Sequence, residues 1–267
     1  MKHITIIAYL LFSSLGWGQE PGLILGLNAG TFVANKNTAA MYNGANVSNP
    51  TIGYYRRGIE SIFSDQNTKP AIDQHYQYPY ELVELPIDMR YSPGINIGGM
   101  VGYRMDKGTL VYLEANFAQI KIQDVFVVEV NDPNNQIPGG TLEQSPIFAE
   151  EQRLNMNFGM QFDIFESSGF VGFMPIFGSL SSIKLESNYI VIGERQYNIF
   201  HNYSGITNAK IGGLGFGGGT GIGVRYRMVD KYSIGVQYNA IYSKTTLLED
   251  FNPYGLHHTL SLNVIWG

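Results

Sequence analysis

From position 212 onward the chain alternates so strictly that a strand is the only regular element it can form. Leu214, Phe216, Thr220, Ile222, Val224, Tyr226 and Met228 take one set of alternate positions, with Gly218 the exception. Gly213, Gly215, Gly217, Gly219, Gly221, Gly223, Arg225 and Arg227 take the other. A period of two sends successive side chains to opposite faces of a strand. The rhythm returns at 232–242, where Tyr232, Ile234, Val236, Tyr238, Ala240 and Tyr242 oppose Ser233, Gly235, Gln237 and Asn239. At 153–164, Leu154, Met156, Phe158, Met160, Phe162 and Ile164 oppose Arg153, Asn155, Asn157, Gln161 and Asp163. Leu260, Leu262, Val264 and Trp266 against Ser261 and Asn263 close the chain in the same way. Weaker versions occur at 23–33, 95–104 and 109–117. Residues 170–185 read as a strand by composition with their phase broken near Pro175, which predicts a bulge there.

The pattern predicts eight strands, over 22–34, 91–105, 109–130, 152–165, 170–186, 210–228, 232–245 and 256–267. Three joins are tight, at Asp106-Lys107-Gly108, Glu166-Ser167-Ser168-Gly169 and Val229-Asp230-Lys231; four are long, at about 35–90, 131–151, 187–209 and 246–255. Short and long joins alternate, as in membrane barrels with short turns at one rim and long loops at the other. A β-sandwich has no reason to sort its loops by length. The fold class expected is all-β: an eight-stranded, antiparallel, up-and-down, closed transmembrane β-barrel with long external loops. An unpaired backbone group in hydrocarbon costs several kcal/mol, so the last strand has to pair with the first. Composition agrees. Only 15 % of residues are charged, against roughly 25 % in ordinary soluble domains, while Gly (32) and Tyr (18) are abundant.

Lys2 and His3, the apolar run Ile4–Leu15 and the small residues around Gly16-Trp17-Gly18 read as an export signal over 1–18, leaving 19–267 as the barrel. The run is too short for a spanning helix, and no later segment is long and apolar enough for one. Without cysteine there is no disulfide, no lipid anchor on Cys, no thiol catalysis and no thiolate metal site. A net charge of −5 lacks the basic face that nucleic acid requires.

Four pieces carry a resemblance to a known family. They are Gly22-Leu-Ile-Leu-Gly-Leu-Asn-Ala-Gly30; Gly94-Ile-Asn-Ile-Gly-Gly-Met-Val-Gly-Tyr103, running through the 106–108 turn into Leu110-Val-Tyr-Leu-Glu114; Gly221-Ile-Gly-Val-Arg-Tyr226; and Leu260-Ser-Leu-Asn-Val-Ile-Trp266. Together they resemble the PorT-like outer-membrane β-barrel family of the Bacteroidota, similar in shape to the OmpA-type barrel. Trp266, just before Gly267, is similar to the C-terminal aromatic by which such barrels are assembled. The resemblance covers the strands and leaves 35–90 unmatched. It implies the fold and a bacterial outer-membrane location. Family members include secretion-machinery components and barrels of unknown role, and no catalytic residue carries over.

By alternation Asn28, Asn96, Arg104, Glu114, Arg153, Asp163, Arg225, Arg227, Gln237 and Asn263 point inward. Eight strands leave an interior that side chains fill. Arg104, Arg153, Arg225 and Arg227 against Glu114 and Asp163 are therefore expected to form a buried structural network, a proton or ion path being the alternative. Gly213, Gly215 and Gly218 have the G-x-G-x-x-G spacing, but a strand follows where a dinucleotide site needs a helix, so these glycines read as room inside a narrow barrel. Tyr103, Tyr226, Tyr232 and Trp266 read as a girdle at one interface, with Tyr238 and Tyr242 nearer the other.

His257 and His258 are expected on opposite strand faces and so hold no metal together. A barrel lipid hydrolase at the outer leaflet would need a His–Ser or His–acid pair at the rim, drawn from His201, His257 or His258, with Ser261 or Ser243 as the serines within reach of the last two. The 35–90 loop is the best candidate surface, being too aromatic for disorder. Tyr54, Tyr55, Arg56, Arg57, Tyr76, Tyr78 and Tyr80 are the residues expected either to cap the mouth or to bind a partner. The outer half of the third strand, Ile120–Val130, is expected to project above the membrane and expose an apolar docking edge.

The preferred function is a non-enzymatic anchor or subunit of an outer-membrane or secretion assembly. It would lie in outer-membrane lipid, bind a protein partner through its external loops and use no cofactor, metal or nucleic acid. The alternatives are the lipid hydrolase and a small-solute porin.

Overall fold

A computed structural model of the chain describes residues 22–51, 53–105, 108–134, 140–203, 212–229, 231–247 and 253–267. The export signal expected over 1–18 lies outside the described residues. In chain order the elements are β1 (Gly22–Val33), a 3-10 helix (Lys36–Tyr42), β2 (Val47–Asn49), β3 (Tyr54–Arg57), α1 (Ile59–Ser64), α2 (Lys69–Tyr76), β4 (Tyr80–Glu84), β5 (Tyr91–Arg104) and β6 (Thr109–Val130). They continue as β7 (Thr141–Ser167), β8 (Phe170–Ile192), β9 (Arg195–Asn198), β10 (Phe200–Tyr203), β11 (Gly212–Val229), β12 (Tyr232–Thr246) and β13 (Tyr254–Trp266).

Eight of these strands make a ring in which every pairing is antiparallel. Its order is β1-β5-β6-β7-β8-β11-β12-β13. The ring returns on itself through β13 and β1, in register from Leu25↔Trp266 to Val33↔His258. Ring neighbours follow one another along the chain, interrupted only by the inserted small elements, so the path is up-and-down. At the tight rim, Ser168 (φ 50°) and Gly169 (φ 84°) form a two-residue hairpin loop. Two left-handed residues in succession match the twist of the flanking strands, and Gly adopts that conformation without a Cβ clash.

Side-chain sizes inside the ring are complementary. A Cβ on Gly219 would come within 2.7 Å of the Phe177 ring, and one on Gly223 within 2.3 Å of the Phe173 ring. Gly219 and Gly223 of β11 are therefore the space into which the Phe177 and Phe173 rings of β8 fit. Phe173, Pro175 and Phe177 all point inward with their alternation intact. The bulge predicted at Pro175 is thus misplaced. The register shifts instead near Ile164 on β7 and near Glu186 on β8. Inward phenylalanines in a mostly polar lumen made the sequence look out of phase; Phe177 joins a small apolar cluster with Ile24, Leu110, Tyr112, Ile241 and Ile265.

The strands differ greatly in height. β7 has 27 residues and β8 has 23, against 13 in β13. β7 begins at Thr141 and β8 ends at Ile192, so the long connections expected at 131–151 and 187–209 are largely strand. Above the ring, β6, β7 and β8 continue as a wall, which β4 extends beside β6 and β9 beside β8.

The segment expected as the loop 35–90 is folded against this wall. The 3-10 helix, α1, α2 and the small sheet β10-β3-β2 form a cap over the ring. Ala39, Met41, Tyr42, Ile59, Ile62, Ile72 and Tyr76 of the cap share one apolar core with Phe126, Val128, Ile147 and Ile190 of the wall. The main hydrophobic core therefore sits above the ring, and the ring itself encloses mostly polar side chains.

Candidate functional site

The polar side chains of the lumen form three separate groups, not one network. Near the tight rim, Arg225 binds Asp163 with its Nη2 at 2.6 and 2.5 Å from the two carboxylate oxygens and stacks on Phe173. Arg227 pairs with Glu166, and Arg104 is buried nearby. At mid-height Glu114 meets no arginine. It accepts from Asn28 Nδ2 at 2.7 Å and from Asn157 Nδ2 at 3.0 Å. Beside it runs a chain of donated bonds, Asn263 Nδ2 to Gln237 Oε1, Gln237 Nε2 to Asn239 Oδ1 and Asn239 Nδ2 to Thr259 Oγ1, each between 2.8 and 3.1 Å. The free space around Glu114 is a cavity of about 10 Å³, scarcely room for one water.

The third group lies where the ring meets the cap. Arg153 pairs there with Glu151, Nε to Oε1 at 2.5 Å, both side chains being almost completely buried. The other carboxylate oxygen, Oε2, accepts from the hydroxyls of Tyr42 and Tyr91, each at 2.8 Å. Arg153 also donates to Thr38 Oγ1 at 3.2 Å and lies over the Phe32 and Tyr91 rings. Tyr42 belongs to the cap, Tyr91 to β5, and Glu151 and Arg153 to β7, so this ion pair fastens the cap to the ring. Burial and the Glu151 carboxylate push the Tyr42 phenol well above its ordinary range.

The single network expected among Arg104, Glu114, Arg153, Asp163, Arg225 and Arg227 is therefore corrected: the residues face inward, but at three heights. Sequence reasoning missed Glu151 and Glu166. The signal for Glu151 was present, because two residues from Arg153 on a strand means the same face.

Each described histidine has neighbours of its own, and His75 Nε2 on the cap lies 3.0 Å from Glu143 Oε1. His257 Nδ1 accepts the backbone N–H of Asn35 at 3.0 Å, and its ring stacks on Phe32. His258 faces outward, its Nδ1 2.6 Å from the Tyr238 hydroxyl. His201 lies in the cap between the Tyr54 hydroxyl (3.0 Å) and Asn188 Nδ2 (2.9 Å), and burial lowers its pKa to about 3. Among the described residues no serine side chain is hydrogen-bonded to a histidine.

The seven residues expected as a partner-binding surface divide between the interior and the surface of the cap. Tyr54, Arg56 and Tyr76 are buried, which removes them from any docking face. Arg56 instead donates to the carbonyls of Ala45 and Met41 and to Asn43 Oδ1, tying β3 to the end of the 3-10 helix. With Asn188 Nδ2 donating to Nε2, the neutral His201 ring donates from Nδ1 to the Tyr54 hydroxyl, and burial raises that phenol to about 12. Arg57 pairs with Asp65, whose carboxyl that guanidinium holds below its ordinary range. Tyr55 is exposed, and Tyr78 and Tyr80 are half-buried. The apolar edge expected at 120–130 is also corrected: Ile120, Ile122, Phe126 and Val128 turn inward, and β4 covers part of the strand.

Tyr78 and Tyr80 line an open cleft of about 800 Å³ together with Glu60, Phe63 and Ser64 of α1, Lys69 and Asp73 of α2, and Leu82 of β4. Phe63 meets Tyr80 edge-to-face at 5.4 Å. The Tyr80 hydroxyl donates to Asp73 Oδ1 at 2.8 Å, and Lys69 pairs with the same carboxylate, also at 2.8 Å.

The outside of the ring has a different character. Leu27, Ile97, Phe117, Phe158, Leu180, Leu214, Val236 and Leu262, one from each ring strand, are 45–70 % exposed. Tyr103, Phe170, Tyr226 and Tyr232 fringe this band at the tight rim, and Tyr238, Tyr242 and Tyr254 fringe it toward the cap.

No protein-family model and no curated protein matches the chain. Solved structures to which it is similar are bacterial surface barrels. Neisserial surface protein A aligns at 11 % identity and a TM-score of 0.38, over 92 % of this chain and 96 % of that one. The outer membrane protein OprG from Pseudomonas aeruginosa aligns at 9 % identity and 0.38, over 93 % and 98 %. The N-terminal β-barrel domain of OprF from the same organism aligns at 8 % identity and 0.30, over 92 % and 100 %.

Proposed function

We propose that the chain is a non-enzymatic barrel of the bacterial outer membrane that holds a folded platform above the lipid and presents it to a protein partner. One observation carries the membrane assignment: every ring strand contributes exposed large apolar side chains to a band with no break around the circumference. A water-soluble monomer rarely exposes more than a few hundred Å² of contiguous apolar surface. Hydrocarbon reverses the sign of that exposure, and aromatic fringes at two levels suit the two headgroup regions. On this reading the tight turns face the periplasm and the cap faces outward.

The porin alternative finds less support, because side chains occupy the lumen at three heights and the cap covers its mouth. An anchor or assembly subunit suits a ring whose interior serves stability and whose height is spent on an ordered platform. Membership of a secretion assembly follows from the sequence resemblance and belongs to the same proposal.

Two measurements test it. Gel mobility of unheated against boiled protein, together with membrane fractionation, tests the barrel; a protein recovered without detergent refutes it. Affinity purification from mild detergent tests the platform. Tyr55, Arg57 and Tyr78 all changed to Ser should release a partner that the native chain retains. Retention by that variant, with its barrel intact, removes the platform role.

A further inference from the structure

β4 pairs with β6 on one side, from Tyr80↔Val130 to Glu84↔Val127, and among the described residues no strand pairs with its other side. The Pro79 carbonyl accepts the Asn131 N–H at 2.8 Å, which fixes the phase of the ladder. Antiparallel strands alternate the direction of their backbone groups. The N–H and C=O of Tyr80 and Leu82 therefore point away from β6, toward open space. An exposed edge of this kind is a template for another strand.

The side chains around the edge divide by face. Tyr80 and Leu82 turn toward the cap and line the cleft opposite Phe63. Glu81 and Glu84 are exposed, and Glu81 stands directly across from Glu129. Like charges directly opposed on a sheet are unfavourable. Glu60 and the Lys69–Asp73 ion pair lie on the cleft side, while Glu81, Glu84 and Glu129 stand together on the opposite face, two of them in repulsive register.

We propose that the free edge of β4 binds an extended peptide by antiparallel strand addition, and that this peptide alternates apolar with basic residues. Its apolar side chains enter the cleft between α1 and β4, against Phe63, Tyr80 and Leu82. Its basic side chains take the other face and neutralise Glu81, Glu84 and Glu129. Backbone pairing supplies affinity, and the alternate side-chain contacts supply selectivity. This inference rests on the platform reading and names the chemistry of what the platform binds.

The probe is a fluorescent acetylated octapeptide, (Lys-Val)4, titrated by anisotropy against the full chain in uncharged detergent. Saturable binding that weakens as salt rises is expected, together with at least tenfold weaker binding of (Glu-Val)4 and of (Lys-Val)4 methylated on its valine amides. Leu82→Pro removes an outward N–H without touching the β4–β6 ladder and should also weaken binding at least tenfold. Glu81→Lys relieves the internal repulsion, so it should fold at least as well as the native chain while binding (Lys-Val)4 at least tenfold less. Gel mobility before boiling verifies the fold of both variants. No binding at millimolar peptide overturns the proposal. So does equal binding of the methylated peptide, or a Leu82→Pro-sensitive dimer of the chain that ignores the peptide. Failure here alongside a partner lost from the platform variant sinks the peptide mode alone.

Discussion

An arginine placed on the outer face of the ring should separate lipid contact from water contact by a measurable free energy. On β7 the apolar side chains facing outward run from Leu154 to Phe162, with Phe158 at the centre. Four residues on either side, at about 3.3 Å per residue and a strand tilt of about 40°, put Phe158 about 10 Å from each edge of the band. That depth is near the midplane of a hydrocarbon layer about 25 Å tall on a barrel, where Arg costs roughly 2–4 kcal/mol. Val125 lies on the wall four residues beyond Lys121, and the same substitution there should cost about 0–1 kcal/mol. The assay is reversible urea unfolding of the protein in phospholipid vesicles, comparing Phe158→Arg, Val125→Arg and the native chain. Phe→Arg on a water-facing sheet surface stays within about 0.5 kcal/mol. Equal, near-zero costs at both sites would refute the membrane assignment, since nothing in the packing of an exposed Phe158 could hide a lipid penalty.

Other expectations follow from the interior. The chain has no cysteine, so Ala29→Cys with Leu262→Cys, which face each other across β1 and β13, should form a disulfide and alter gel mobility if the ring closes in the register described. Glu151→Gln leaves the Arg153 charge buried without its partner and should cost about 3–5 kcal/mol in the unfolding assay; Glu151→Leu with Arg153→Met should recover most of that. Gly223→Val forces a clash with Phe173 and should slow refolding into vesicles, whereas Phe173→Ala in the same chain should restore it. His201 stays neutral when folded down to about pH 3, while the unfolded chain takes up a proton near pH 6.5. The unfolded state then binds more protons between those limits, so cap stability falls as pH drops through that window. The loss should reach about 2 kcal/mol by pH 5. Amide hydrogen exchange in β3 and β10 at pH 7 and 5, corrected for intrinsic rates, would reveal it; no change, or greater protection at pH 5, contradicts it.

What could be read from the sequence depended on how different the two faces of each strand were. Where one face meets the polar lumen and the other is apolar, as at Leu214–Met228 and Leu154–Met160, alternation located the strands within a few residues. Higher on the same strands that contrast disappears. Around Glu150-Glu151-Gln152, charged and polar groups stand on both faces, so β7 looked like a loop although it begins at Thr141. The cap was hidden for another reason. Its helices of six and eight residues are too short to show a helical period and exist because Ile59, Ile62 and Ile72 find apolar partners on β6 and β7. The arginine–acid pairings also depend on height, which composition and phase do not encode. Glu114 and Arg225 share a face type, yet Glu114 is held by asparagines while Arg225 takes Asp163 near the rim.

The unequal height of the ring strands has a geometrical consequence. β6, β7 and β8 each run as one continuous strand from the apolar band into the wall, with a single register shift near Glu186 of β8, and the Glu151–Arg153 pair pins the cap to the same strands. Among the described residues no loop separates the banded part of these strands from the wall above it. On the membrane reading proposed above, a docked partner therefore receives a compass bearing as well as a foothold: its orientation about the membrane normal is dictated by the stave it lands on, as a signpost bolted to its mast cannot turn with the wind.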